Sequence, residues 1–100
     1  MVAALLVVSA VFVAWRAPRG EPYRLLTHCG IDGLQHEGRW YARDGGLLDD
    51  GEGNPAGGWG NPWQDGRLRA EGDTVVFSDW SGHRETFTLQ PGPVPASTCR

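Results

Sequence analysis

The stretch Arg67–Leu89, RLRAEGDTVVFSDWSGHRETFTL, decides the fold class. Arg67-Leu68-Arg69-Ala70 alternates charged and apolar side chains, and Glu71-Gly72-Asp73 turns the chain. Thr74–Ser78, TVVFS, is β-branched and aromatic. Asp79-Trp80-Ser81-Gly82 turns again, and His83–Leu89 sets Arg84, Thr86 and Thr88 opposite Glu85, Phe87 and Leu89. Three runs of period two joined by tight turns predict an antiparallel meander.

Working outward, the same signals recur more weakly. Tyr23–Cys29 predicts a first strand, and Gly30–Gly33 a turn. Leu34–His36 and Arg39–Arg43 flank Glu37-Gly38, which predicts a hairpin. Asp44–Trp59 is polar, glycine-rich and without period, and is expected to be a long loop. Beyond Leu89, QPGPVPAST reads as an extended tail returning Cys99 to the body. No apolar stripe of 3.6-residue period follows residue 20. The expected fold is all-β, a small antiparallel sandwich or open barrel of five to six strands, preceded by a short apolar N-terminal helix.

One hundred residues suffice for one small domain, and 22 of them are glycine or proline. Such a domain buries a thin core, so covalent staples matter. The apolar run MVAALLVVSAVFVAW, residues 1–15, would extend about 22 Å as a helix, short of a full hydrocarbon layer. It has no basic start, and Val8-Ser9-Ala10 would leave a very short apolar core if cleaved, so residues 1–16 are expected to be an uncleaved membrane anchor rather than a signal segment. Cleavage would make the protein secreted. Residues 17–22, APRGEP, follow as a linker, and residues 23–100 as the domain.

Arg16 and Arg19 would hold the following residues inside the cell by the positive-inside rule. Cys29 and Cys99 argue the other way. An isolated pair in a small glycine-rich domain suits a disulfide and an oxidising compartment. Closing some 70 residues would stabilise by about 4 kcal/mol in the chain-entropy model. The bridge outweighs two arginines, which places the domain outside; the competing reading is two separate buried thiols.

Residues 21–100 carry seven arginines, no lysine and twelve acids, a net charge of −5. That balance opposes nucleic-acid binding, which needs a basic face. The segment GGWGNPWQDG, Gly57–Gly66, offers two chemistries. Trp59 and Trp63 can stack on the C–H faces of a sugar while Asn61, Gln64 and Asp65 bond its hydroxyls. Alternatively, the glycines and Pro62 shape a turn whose tryptophans cap the core. Capping is the expectation; Trp59, Asn61, Trp63, Gln64, Asp65 and His28 are the candidate ligand-binding residues.

Other sites are weaker. Asp50, Glu52 and Asn54 alternate as in a calcium loop, but Pro55 and Asn61 stand where its glycine and final glutamate belong. His28, Cys29, His36, His83 and Cys99 match no zinc spacing. His28 or His83 with Asp32, Asp65 or Asp79 could serve acid–base chemistry, yet no nucleophile or phosphate-loop motif accompanies them. No cofactor, metal site or catalytic residue is expected.

The elements LTHCGIDG, GRWYA and NPAGGWGNPWQDGRLRAEGDTVVF together resemble a group of short, uncharacterised exported or membrane-anchored proteins of high-GC Gram-positive bacteria. The likeness covers roughly residues 25–99, and Thr27-His28-Cys29-Gly30 is its most specific part. The resemblance implies an extracytoplasmic location and a Cys29–Cys99 pair; it carries no chemistry. The function expected is non-catalytic binding or structural work at the cell envelope, with membrane contact through residues 1–15 and an envelope glycan or protein as partner. The alternative is a small envelope enzyme or metal-binding protein using His28 and nearby polar groups.

Overall fold

The computed structural model describes residues 17–96. The expected N-terminal helix and anchor, residues 1–16, and Cys99 lie outside these residues. Six strands are present: β1 (Glu21–Leu26), β2 (Gly33–His36), β3 (Arg39–Arg43), β4 (Trp63–Glu71), β5 (Thr74–Ser78) and β6 (Arg84–Leu89). They form one antiparallel sheet in the order β1-β4-β5-β6-β3-β2. The sheet curls into a nearly closed barrel whose two end strands, β1 and β2, meet across a seam. At the seam the Tyr23 hydroxyl donates to the Gln35 carbonyl at 2.7 Å.

The tight hairpins follow from their turn residues. Glu37 and Gly38 both have positive φ, 51° and 77°, as a two-residue loop matched to strand twist requires. Gly72 (φ 61°) leads the two-residue loop between β4 and β5. Register follows from the alternating pattern, which sends Leu68, Val75, Phe77 and Phe87 inward to meet Leu25, Leu34 and Tyr41. Val75, Phe77 and Phe87 are wholly buried, and each contributes about 1.5–3 kcal/mol by leaving water.

β1 and β4 depart furthest from the sequence reading. β1 begins at Glu21, inside the expected linker, and ends at Leu26 rather than at Cys29. β4 extends back to Trp63, so the last four residues of the glycine-rich segment are strand. It pairs over six residues with β1, Glu21↔Leu68 to Leu26↔Trp63. Asp65 and Gly66 are poor strand formers, but here each has a reason. A Cβ at position 66 would lie 2.4 Å from Phe77 Cζ, so only glycine admits that ring, and Asp65 pairs with Arg24 at 3.0 Å. The long loop is also tied down, because Ile31 and Leu48 exchange both backbone hydrogen bonds at 2.9 Å.

Candidate functional site

The seam between β1 and β2 opens into a groove of about 800 Å³. Period two in β1 buries Leu25 and leaves Tyr23 half-buried at the seam. Burial raises the Tyr23 hydroxyl above its ordinary pKa. From β3, Trp40 reaches over the neighbouring strand, where a Cβ on Gly33 would lie 2.3 Å from its ring. A glycine inside a strand marks such a close approach. Trp63, 46% exposed at the start of β4, forms part of the same groove. Three aromatic side chains thus share one cleft with the polar groups of Arg24, His28 and Asp32.

The candidate residues of the glycine-rich segment divide between two environments. Trp63 belongs to the groove. Trp59 is half-buried against the core; its ring stacks on His83 with centroids 3.7 Å apart and an 18° interplanar angle. Gln64 accepts the Gly60 amide at 2.7 Å and so holds the turn. Asp65 is engaged with Arg24, and Asn61 is exposed. The turn is anchored by Thr27, the residue just after β1, which is fully buried and whose hydroxyl donates to the Gly60 carbonyl. The Thr27 and His28 amides both donate to the Pro62 carbonyl, at 2.8 and 3.2 Å.

A second cluster lies at the β5–β6 turn. His83 Nδ1 and Asp79 Oδ2 are 2.6 Å apart, with the Asp79 side chain almost wholly buried. Asp79 Oδ1 also accepts the amides of Ser81 and His83 at 2.9 and 3.1 Å. The carboxylate therefore closes its own turn, and the imidazole lies between it and the Trp59 face. These contacts make the pair a cap on the barrel.

The acidic loop spends its oxygens on itself. Asp50 accepts the amides of Glu52 and Asn54 at 2.8 and 3.2 Å, and Asp49 accepts that of Gly53 at 3.1 Å. The Glu52 amide, foremost, holds the Asp50 carboxyl below its ordinary pKa. Among the described residues no three of His, Cys, Asp or Glu gather as metal ligands.

No protein-family model, curated protein or solved structure matches the chain.

The groove residues that sequence reasoning passed over are Tyr23, Arg24 and Trp40. They come together only because β1 and β2, adjacent in sequence, are the two ends of the sheet. Gly33 opposite an aromatic strand was the available signal for Trp40. Among the described residues there is no free cysteine, and no helix is long and apolar enough to cross a membrane.

Proposed function

We propose that this is a non-catalytic binding domain at the cell envelope, held at the membrane by residues 1–15, and that its ligand surface is the β1/β2 groove. The observation that carries the reading is the cleft itself. Its volume of about 800 Å³ falls in the range of ligand sites, as does its mix of aromatic walls and few polar groups. Trp63 and Trp40 offer flat faces to the C–H surface of a sugar, with Asp32 and His28 beside them for hydroxyl groups. An envelope glycan is the partner this chemistry suits.

The Cys29–Cys99 bridge belongs to the same proposal. Val94, Pro95 and Ala96 border the groove together with Cys29. Cys99 follows Ala96 by three residues, a reach of about 10 Å, which supports the pairing. Thiol labelling of the undisturbed oxidised protein should find no reactive cysteine before reduction and two after it. Two reactive thiols at the outset would refute the bridge and remove the main support for an outside location.

Titration of the full chain with a soluble envelope polysaccharide should quench tryptophan fluorescence saturably. Trp63→Ala and Trp40→Ala should each abolish the saturable part. A response in Trp63→Ala equal to that of the unmodified chain would sink the groove as the site.

A further inference from the structure

On the opposite side of β5 from the core, Arg19, Arg69 and Arg84 surround a cavity of about 150 Å³. Its floor is Val76, nearly buried although it points outward, and its wall includes Ser78. The strand register explains the convergence: Arg69 stands opposite Val76, and Ser78 opposite Arg84. Arg19 arrives from the segment before β1, which is laid across the sheet. Its amide donates to Ser78 Oγ at 3.3 Å, and Arg67 Nη1 donates to the Gly20 carbonyl at 2.9 Å. Among the described residues one carboxylate lines the cavity, Glu71, which lies 3.3 Å from Arg69 Nε. Among the described residues, Arg19 and Arg84 have no ion-pair partner. Three guanidinium groups against one carboxylate make a local excess of positive charge in a domain that is acidic as a whole.

We propose that this cavity seats the phosphate of an anionic lipid headgroup at the membrane surface. The inference rests on the anchoring reading of residues 1–15. Ala17, at the cavity edge, is two residues beyond Trp15, so the site lies within about 7 Å of chain from the end of the apolar run. Guanidinium forks match phosphate oxygens in bidentate geometry. The Ser78 hydroxyl accepts from Arg19 and retains its own proton to donate. The β5–β6 turn, whose flanking residues Ser78 and Arg84 both line the cavity, carries Trp80 with 74% of its surface exposed. An indole of that kind suits the headgroup layer.

The test measures partition of the full chain onto phosphatidylcholine vesicles with and without phosphatidylglycerol, over a range of salt. Phosphatidylglycerol should strengthen binding, with salt erasing the gain. Arg69→Gln with Arg84→Gln should remove the gain by about fivefold per arginine. Arg39→Gln, the same charge change on the β2–β3 hairpin, should keep it. An undiminished gain in the double variant, or an equal loss in Arg39→Gln, would overturn the site.

Partition onto phosphatidylcholine alone reports the anchor separately. A chain that fails there refutes the anchoring reading. Nitrogen-15 NMR of the Arg69 and Arg84 side chains, titrated with inorganic phosphate, then reads the cavity by itself. Saturable shifts without any phosphatidylglycerol effect would overturn the lipid as the source and leave soluble phosphate in its place.

Discussion

Gly66→Ala should be among the most damaging single-carbon changes in this protein. The added Cβ would lie 2.4 Å from Phe77 Cζ and 2.5 Å from the Ser78 carbonyl oxygen, where ordinary contact begins at 3.4 Å. One of the groups must move by about 1 Å. The Ser78 carbonyl is fixed in β5, and Phe77 has no exposed surface to move into. The ring also packs against Trp59, with centroids 6.0 Å apart, and through it the strain reaches His83. Overpacking of this kind costs about 1–3 kcal/mol. In a domain this small each kcal/mol lowers Tm by about 4–8 °C, so the expected fall is between about 4 and 24 °C. Gly57→Ala is the control: nothing lies within 4 Å of its Cβ, and no left-handed φ forbids the substitution. That variant should match the unmodified chain or gain up to about 1 kcal/mol. Thermal unfolding of the full chain in mild detergent, followed by circular dichroism, measures both. Phe77→Leu removes the clashing atom, so Gly66→Ala in that background should cost less than it does alone. Equal Tm values for Gly66→Ala and Gly57→Ala would refute the account of strand β4.

Three further substitutions probe other links. Thr27→Val leaves the half-buried Gly60 carbonyl without the hydroxyl that donates to it, and urea unfolding should show a loss of about 1–3 kcal/mol. Asp79→Ala strands the Ser81 and His83 amides and the imidazole, for an expected loss of about 2–3 kcal/mol, with Asp79→Asn intermediate. Tyr23→Phe acts through pH. Burial raises the Tyr23 pKa in the folded state, so folded and unfolded states are equally protonated below the unfolded value near 10. Above it the unfolded chain ionises first and stability falls. The urea midpoint of the unmodified chain should therefore drop more steeply than that of Tyr23→Phe above about pH 10, and parallel curves would refute the burial of that hydroxyl.

How much of this was legible depends on how local the information is. β3, β5 and the two-residue hairpin turns were readable because each is specified by adjacent residues: Glu37-Gly38 fixes a turn, and TVVFS fixes a strand. β4 was half hidden. Gln64, Asp65 and Gly66 look like loop residues until Phe77 and Arg24, both distant in sequence, give them their strand positions. The groove was hidden for the same reason. Nothing within β1 or β2 announces that they close the barrel against each other, since neither pairs with the other through its backbone. The Asp79–His83 contact was visible only as two residues four apart with suitable chemistry; its buried geometry and the Trp59 stack required the fold.

The Thr27-His28-Cys29-Gly30 element shows how a distinctive motif can arise from shape rather than reactivity. Thr27 binds the β4 turn from below through both its amide and its hydroxyl. Cys29 and Gly30 then adopt successive left-handed conformations, φ 69° and 90°, that reverse the chain after β1. The Gly30 amide returns to the Thr27 carbonyl at 2.9 Å. A Cβ on Gly30 would lie 2.8 Å from the Asp49 Cβ and 2.9 Å from the Leu48 carbonyl oxygen, so the long loop can pass only over glycine. A left-handed residue other than glycine or asparagine is uncommon and carries strain. Cys29 holds such a conformation where it lines the same groove as residues 94–96. The motif is thus a joint where the end of β1, the Gly57–Gly66 turn and the long loop converge. Each of its residues has a role in that joint before any ligand is considered.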